Sequence, residues 1–213
     1  MALLLVGLGP SPELRDLTRR AEDALRRARR VLVDVFTAAG GEQRCAALEH
    51  LLGRPVETLI GPEAPLRAAL IEAARSVDVA IAVAGDPLLA TPHGYLCQQA
   101  RQAGVVVEIV PGVSVATAAP ALLGRDGAGQ RVVVIEELRA PRPGELARVV
   151  AVLDAGLACL VIGAGRVDEP SADWTELAAV LARACRAQVE AVAIDGSDTA
   201  LLVTRTSALP TAE

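Results

Sequence analysis

The sequence predicts an α/β protein of two units, and three observations support this. Runs of β-branched apolar residues alternate with segments of helical spacing along the 213 residues. A stretch at residues 124–130 with three glycines interrupts this pattern, so we place one domain at residues 1–124 and a second at residues 125–213. Three of the apolar runs end in Gly- or Pro-rich segments, which are Val6-Gly-Leu-Gly-Pro10, Gly85-Asp-Pro-Leu-Leu-Ala-Thr-Pro-His93 and Val110-Pro-Gly-Val-Ser114.

In the first unit, strands and helices are predicted to alternate. Apolar residues recur at helical spacing after the first strand, at Leu17, Ala21 and Leu25 for example. The predicted strands are residues 3–6, 31–35, 56–59, 78–84 and 105–110, and the predicted helices are residues 16–30, 46–52, 65–76, 93–103 and 113–123. This alternation favours a parallel sheet with right-handed crossovers. Loops that follow its strands then share one edge, where α/β proteins bind ligands.

The second unit is predicted to contain a mixed sheet. Its strands are residues 131–135, 158–162, 189–194 and 200–204, and its helices are residues 144–155 and 171–184. The segment 136–144 combines charged side chains with Pro141 and Pro143, which indicates an exposed loop. Asp195-Gly-Ser-Asp198 reads as a hairpin turn, and a hairpin requires an antiparallel pair of strands.

Composition disfavours nucleic-acid and membrane partners. The chain has three aromatic residues, Phe36, Tyr95 and Trp174, and a formal net charge of −5, whereas nucleic-acid binding generally needs stacking side chains or a basic face. No apolar run approaches the roughly 20 residues of a membrane span. The first apolar segment reaches Gly7 almost at once and lacks a basic leader, so it reads as a strand rather than a signal peptide. We therefore expect a cytoplasmic protein.

The four cysteines predict neither a zinc site nor a redox motif. They are widely spaced and form no Cys-x-x-Cys pair. Buried free thiols are the expectation, and no metal site is predicted.

Each loop motif, taken alone, has two interpretations, a structural turn or cap and a ligand contact. Gly7 and Gly9 resemble the start of a dinucleotide fingerprint, but Pro12 stands where its third Gly would be, so an NAD-binding turn is disfavoured. This motif fits a tight turn as well as a ligand loop. Asp86 fits a turn or a ligand contact equally, and Ser114 could simply be a helix N-cap. The coincidence of three such strand ends favours ligand binding.

His93 starts a predicted helix, a position where most histidines are caps or surface residues, so catalysis by this side chain is the less favoured interpretation. No Ser or Cys lies near a credible base in the sequence, and no catalytic base is assigned. The predicted sheet edge is thus rich in backbone groups and poor in catalytic side chains. That composition suits a reaction driven mainly by positioning.

These segments resemble the tetrapyrrole methylase superfamily and, within it, the diphthine synthases. Val6-Gly-Leu-Gly-Pro10 resembles the opening motif, and Phe36-Thr37 resembles a Tyr-Thr pair of the diphthine enzymes. The most specific match is Gly85 to His93, which is similar to their Gly-Asp-Pro-x-x-Ala-Thr-x-His signature. Val110-Pro-Gly-Val-Ser114 resembles instead the corresponding loop of the cobalamin-pathway methylases.

The resemblance implies two α/β domains with S-adenosylmethionine in a cleft between them, a homodimer, and methylation of the diphthamide precursor on translation elongation factor 2. It implies cofactor contacts in both domains and substrate contacts in the signature. The cofactor-binding residues are Gly7, Gly9, Pro10, Gly85, Asp86, Leu89, Ser114, Val115, Ile162 and Ala193. The substrate-binding residues are Thr91 and His93.

The second half of the chain keeps two alternatives open. The family's aromatic-rich segment is replaced by residues 136–143, and the carboxy-terminal region is shorter than in typical diphthine synthases, which fits a non-catalytic cofactor-binding homologue. The loop at Pro111 fits a methyltransferase for a tetrapyrrole or another small molecule. Few aromatics and no Lys make a large anionic ring a poorer fit, although Arg can also bind carboxylates.

Overall fold

The computed structural model describes residues 1–37, 40–61, 64–89, 91–124, 132–136, 143–162, 174–195 and 198–205. The contacts among them define two compact units, and the division falls between Val115 and Ala116. The predicted linker falls almost wholly at residues 125–130, which lie outside the described residues, so the domain boundary at residue 124 stays a prediction.

The first unit contains a five-stranded parallel sheet. Its elements in chain order are β1 (Ala2–Gly7), α1 (Arg19–Arg27), β2 (Arg30–Asp34), α2 (Gly41–Leu52), β3 (Glu57–Leu59), α3 (Ala64–Ala73), β4 (Val79–Val83), α4 (His93–Gln102) and β5 (Val106–Val110). Helix α5 (Val115–Leu122) follows, and all of it after Val115 belongs to the second unit. The strand order is β3-β2-β4-β1-β5, and every neighbouring pair is parallel. The prediction of alternating strands and helices is confirmed.

Helices cover both faces of this sheet. Along β1, Leu3 and Leu5 pack toward α3 and α4, whereas Leu4 and Val6 pack toward α1 and α2. Because both faces are buried, the central strands are continuous apolar runs rather than alternating ones. The neighbours β1 and β4 are followed by helices on opposite faces, and such a reversal opens a crevice beyond the carboxyl ends of the strands.

The second unit contains a mixed four-stranded sheet. Its elements are β6 (Val132–Glu136), α6 (Pro143–Asp154), β7 (Ala158–Ile162), α7 (Trp174–Cys185), β8 (Gln188–Asp195) and β9 (Asp198–Thr204). The order is β6-β7-β9-β8, in which β6 and β7 are parallel and the other two pairs antiparallel. Pairing of Asp195 with Asp198 confirms the predicted hairpin. The predicted loop at residues 136–144 lies mostly outside the described residues.

Two helices of the first unit begin three or more residues away from their predicted starts. Helix α1 begins at Arg19 rather than at residue 16, because the side-chain oxygen of Thr18 accepts a hydrogen bond from the backbone N–H of Ala21 (3.1 Å) and caps the helix. Helix α2 begins at Gly41 rather than at residue 46. Its first turn is mostly polar, so apolar spacing did not reveal it.

Among the described residues, no helix is long and apolar enough to cross a bilayer, and no three His, Cys, Asp or Glu side chains are grouped to bind a metal. The cysteines are free: Cys97, Cys159 and Cys185 are buried, and Cys45 is half-buried. Burial raises the pKa of Cys159 to about 12, which makes this thiol a poor nucleophile at neutral pH.

Candidate functional site

Three glycines from the three predicted loops touch one another through their backbones. Gly7 ends β1, Gly85 follows β4 and Gly112 follows β5. A Cβ atom on Gly112 would lie 2.2 Å from the carbonyl oxygen of Gly85 and 2.8 Å from the carbonyl carbon of Gly7. A Cβ atom on Gly7 would lie 2.4 Å from the nitrogen of Gly112. The predicted convergence of the three loops is therefore confirmed, and it depends on the absence of side chains.

Gly9 and Gly85 extend the pairing of β1 and β4 beyond the ends of the strands. They form an antiparallel bridge, in which the N–H of Gly85 donates to the oxygen of Gly9 (2.8 Å) and the N–H of Gly9 donates to the oxygen of Gly85 (3.3 Å). Gly9 has a φ of 79°, and a Cβ atom there would lie 2.4 Å from the Cβ of Asp16. Glycine is therefore required at position 9 for the turn itself, and its ligand role stays a prediction.

Pro10 is buried and anchors the first loop to α2. Its carbonyl oxygen accepts a hydrogen bond from a terminal guanidinium nitrogen of Arg44 (2.9 Å), and Arg44 is itself fully buried in that helix. A charge-assisted bond to a backbone carbonyl holds the loop firmly. The first glycine loop is thus fixed before any ligand arrives.

The loop after Gly85 is held by its own hydrogen bonds. Oδ1 of Asp86 accepts from the N–H of Leu88 (3.0 Å), and the carbonyl oxygen of Asp86 accepts from the N–H of Leu89 (3.3 Å). The hydroxyl of Thr91 donates to the carbonyl oxygen of Pro87 (2.6 Å). Asp86 is thus a turn-forming residue. Oδ2 accepts no hydrogen bond from the residues that the structure describes, so the prediction of a ligand contact there stays compatible with the turn.

The structure corrects the interpretation of His93 as a cap or surface residue. His93 is the first residue of α4, and only 4% of it is exposed. Its Nε2 lies 2.7 Å from Oδ2 of Asp34, the fully buried last residue of β2. Since β2 and β4 are neighbours in the sheet, the loops beyond them bring the two side chains together. His93 is thus a buried, paired side chain at the carboxyl edge of the sheet.

Asp34 is ionised in this environment. Burial raises the pKa of its carboxyl, but the hydrogen bond from His93, the electrostatic attraction to that side chain and further donors outweigh burial, so the net pKa lies below its ordinary value. Oδ1 accepts from the N–H groups of Phe36 (2.9 Å) and Thr37 (3.1 Å), and Oδ2 accepts from the Thr37 hydroxyl (2.7 Å) as well as from His93. A carboxylate with this many donors is stable without water.

Asp34 is the residue that sequence reasoning missed. The available signal was a carboxylate at the end of an otherwise apolar strand, two residues before Phe36 and three before Thr37. The same signal, at the end of another strand, singled out Asp86.

A cavity of about 250 Å³ lies beside His93 within the first unit. Its wall is largely apolar, and it runs between the end of β3, helix α3 and the start of α4. Arg67 and Tyr95 are its other polar side chains, and the guanidinium carbon of Arg67 lies 5.3 Å from the centroid of the Tyr95 ring. The remaining lining residues are Leu59, Gly61, Leu66, Leu70, Pro92 and Leu96.

The other predicted cofactor residues lie at strand or helix ends. Ser114 precedes α5, and Val115 is its first residue. In the second unit, Ile162 of β7 pairs with Ala200, and Ala193 of β8 pairs with Thr199. Both therefore flank the same end of β9, about 9–10 Å apart at two strand spacings. The structure brings Ile162 and Ala193 to one end of their sheet, and their cofactor role stays a prediction.

Comparison with known protein families shows to which family the chain belongs. The model of the tetrapyrrole (corrin/porphyrin) methylases matches residues 2–195, nearly all of the sequence. The chain belongs to the tetrapyrrole methylase family. The fold class and the family resemblance predicted from the sequence are thereby confirmed.

Curated proteins similar to the chain include diphthine synthases and diphthine methyl ester synthases. The chain is 34% identical over 122 residues to a diphthine synthase of Methanothermobacter thermautotrophicus, covering 57% of the chain and 46% of that protein. It is 37% identical over 117 residues to a diphthine methyl ester synthase of Emericella nidulans, covering 53% of the chain and 39% of that protein. The chain thus spans less than half the length of the curated relatives it matches.

The fold of almost the whole chain is also similar to that of a solved structure. A crystal structure of a diphthine synthase superposes with a TM-score of 0.76 at 20% identity, covering 96% of this chain and 90% of that one. At this identity, the likeness concerns the fold.

Proposed function

We propose that the chain is an S-adenosylmethionine-dependent methyltransferase of the diphthine synthase type. The observation that carries this proposal is the contact of Gly7, Gly85 and Gly112 at one sheet edge, in a member of a methylase family. Three loops without side chains at their contact leave backbone N–H and C=O groups available around them. Such groups can hold a polar ligand without competing side chains.

The residues at this edge fit S-adenosylmethionine, whose amino group and ribose hydroxyls are hydrogen-bond donors. Oδ2 of Asp86 is an acceptor for such donors, and Pro10, Leu89, Ser114 and Val115 border the same loops. When bound, the cofactor supplies an activated methyl group on a sulfonium. The contribution of the protein is then to hold acceptor and donor in line at about 3 Å, which accounts for much of the rate.

The proposed acceptor is the diphthamide precursor on translation elongation factor 2. Support comes from the diphthine enzymes among the relatives and from the segment Gly85 to His93. Thr91 and His93 are proposed substrate contacts, and Ile162 and Ala193 are proposed cofactor contacts. A homodimer in the cytoplasm is part of the same proposal, and light scattering on the purified protein would test the oligomeric state.

Two measurements test the proposed function. Isothermal calorimetry is expected to show binding of S-adenosylmethionine and S-adenosylhomocysteine, and the absence of heat with both would contradict cofactor binding. Mass spectrometry after incubation with the elongation factor that carries the precursor is expected to show methyl incorporation. Binding without incorporation would favour a non-catalytic homologue.

A tetrapyrrole acceptor is the second candidate, favoured by the Pro111 to Ser114 loop. The discriminating experiment offers precorrin intermediates and the elongation factor in parallel, with the same enzyme and cofactor. Methylation of the precorrin alone would support a tetrapyrrole acceptor. Methylation of the elongation factor alone would exclude a tetrapyrrole acceptor.

Replacing Asp86 by alanine is expected to weaken S-adenosylmethionine binding by about 10- to 150-fold, since a hydrogen bond to a charged group contributes about 1.5–3 kcal/mol. Asp86→Asn is the matched control for folding, because its amide oxygen can still accept from the N–H of Leu88. Calorimetry measures the affinities and urea denaturation the stabilities. Wild-type affinity in Asp86→Ala would disprove the proposed contact.

A further inference from the structure

We propose that Asp34 is a positioning residue that fixes the tautomer of His93. In that tautomer Nε2 carries the proton and Nδ1 is a hydrogen-bond acceptor at the wall of the adjacent cavity. The ligand it would recognise is an apolar group that carries one N–H or O–H donor. That this ligand is the methyl acceptor rests on the proposed function, whereas the tautomer does not.

Hydrogen-bond donors surround both carboxylate oxygens of Asp34. Its carboxylate is ionised and therefore only accepts hydrogen bonds. Nε2 of His93 lies 2.7 Å from Oδ2, so this nitrogen must be the one that donates. When the imidazole is neutral, its single proton then resides on Nε2, and Nδ1 has a free lone pair. A carboxylate fixes the tautomer of histidine in this way in hydrolytic triads.

His93 lies in mainly apolar surroundings. It is one of the residues that line a cavity of about 250 Å³, whose wall is otherwise mainly apolar. Nδ1 has no hydrogen-bond partner among the residues that the structure describes. An acceptor that is buried without a hydrogen-bond partner costs free energy. A lone pair next to an apolar cavity therefore favours a ligand that carries a hydrogen-bond donor. In methyl transfer to an amine, an N–C bond would form and the S–C bond of S-adenosylmethionine would break, leaving S-adenosylhomocysteine. The proton that the alkylated nitrogen then loses would pass to this lone pair, giving a methylated amine and an imidazolium.

The hydrogen bonds to Asp34 make Asp34→Asn the decisive variant. Two backbone N–H groups, those of Phe36 and Thr37, point at Oδ1 of Asp34. In Asp34→Asn these donors hold the amide oxygen at that position, so the NH2 group must occupy the place of Oδ2. The NH2 group can only donate a hydrogen bond, so Nε2 of His93 has to accept that bond. The isosteric variant is therefore expected to move the proton to Nδ1 and to reverse the hydrogen-bonding role of that atom.

Nitrogen-15 NMR of labelled histidine tests the tautomer without any need for activity. The chain has only two histidines, and exposed His50 serves as internal reference. At alkaline pH we expect the Nε2–H form of His93 in the wild type and the Nδ1–H form in Asp34→Asn. Thr37→Val removes a donor to the same Oδ2 but leaves the carboxylate, so it should retain the Nε2–H form. The Nδ1–H form in the wild type would overturn the inference even if Asp34→Asn failed to fold.

Two probes test the cavity. Phenol offers an O–H donor on an apolar ring, and benzene is the same ring without it. Phenol is expected to shift the Nδ1 resonance of wild-type His93 more than benzene does, and the difference should be lost in Asp34→Asn. Equal shifts with both probes would overturn the proposed recognition.

The methyl-transfer assay separates this inference from the proposed function. If the wild type transfers methyl groups, Asp34→Asn is expected to lower kcat about 100-fold with little change in the KM for S-adenosylmethionine, since a positioned base contributes about that factor or more. Wild-type kcat in this variant would overturn the role of Asp34 in transfer. If the wild type transfers nothing, the proposed function fails, and NMR alone decides the tautomer.

Discussion

Gly112→Ala is expected to destabilise the protein by at least about 3 kcal/mol, or to prevent folding altogether. The new Cβ would lie 2.2 Å from the carbonyl oxygen of Gly85 and 2.9 Å from the Cα of Gly7. Both atoms belong to backbone, so no side-chain rotation relieves the overlap, and at least one of the three loops must move. Urea denaturation followed by circular dichroism measures the loss.

Gly94→Ala is the matched control for this substitution. Gly94 lies inside α4, and a Cβ atom there would meet no other atom within 4 Å. Alanine in a helix is more favourable than glycine by about 0.5–1 kcal/mol, so this variant should be as stable as the wild type or more so. Equal stability of the two variants would show that the three loops do not converge as described.

If Gly112→Ala still folds, it also tests the proposed cofactor site. Because its loops are displaced, Gly112→Ala should bind S-adenosylmethionine more weakly than Gly94→Ala does. Calorimetry at the same temperature measures both affinities. Unchanged affinity would place the cofactor elsewhere on the protein.

Asp34→Ala is expected to cost about 3–5 kcal/mol of unfolding free energy at neutral pH. The substitution removes the acceptor of four hydrogen bonds and leaves the donors of Phe36, Thr37 and His93 without it. Chemical denaturation measures the cost. Glu22→Gln is the control: Glu22 forms an exposed ion pair with Arg26 (2.7 Å), and such pairs contribute only about 0.3–0.5 kcal/mol.

The stability that Asp34 provides should depend on pH with a definite sign. Its folded-state pKa lies below the ordinary value of 3.8, so the unfolded chain binds the proton more readily. The contribution is therefore complete above pH 3.8 and is lost as the pH falls through the lower folded-state value. The difference in unfolding free energy between the wild type and Asp34→Asn should narrow over that acid range. A difference that stayed constant there would show that the carboxylate is not the stabilising form.

Much of the fold could be predicted from local sequence alone. The strands of the first sheet are buried on both faces, so each reads as a continuous apolar run, and β4 is an example with five buried residues. The helices reveal themselves by apolar spacing, except where polar residues form the first turn, as in α2. The start of α1 differs from the prediction, because one hydrogen bond from the N–H of Ala21 to the side chain of Thr18 decides where the helix begins.

The candidate site was predicted only in part. Gly7, Gly85 and the loop at Gly112 could be found because each follows an apolar strand, and the ends of parallel strands share an edge whatever the details of packing. The pairing of Asp34 with His93 could not be found, because the two residues are separated by 59 positions in the chain. Nothing local to either residue marks the other as its partner.

The sequence by itself thus determined the order of strands and helices, the family and the edge where the loops meet, since periodicity and strand-end glycines are local properties. Only the tertiary structure decided that His93 is buried against Asp34 and borders a cavity. The strand order places β2 beside β4, and that order depends on how all five strands pack together. A side chain's charge and tautomer follow from its neighbours in space, and those neighbours exist only once the sheet has formed.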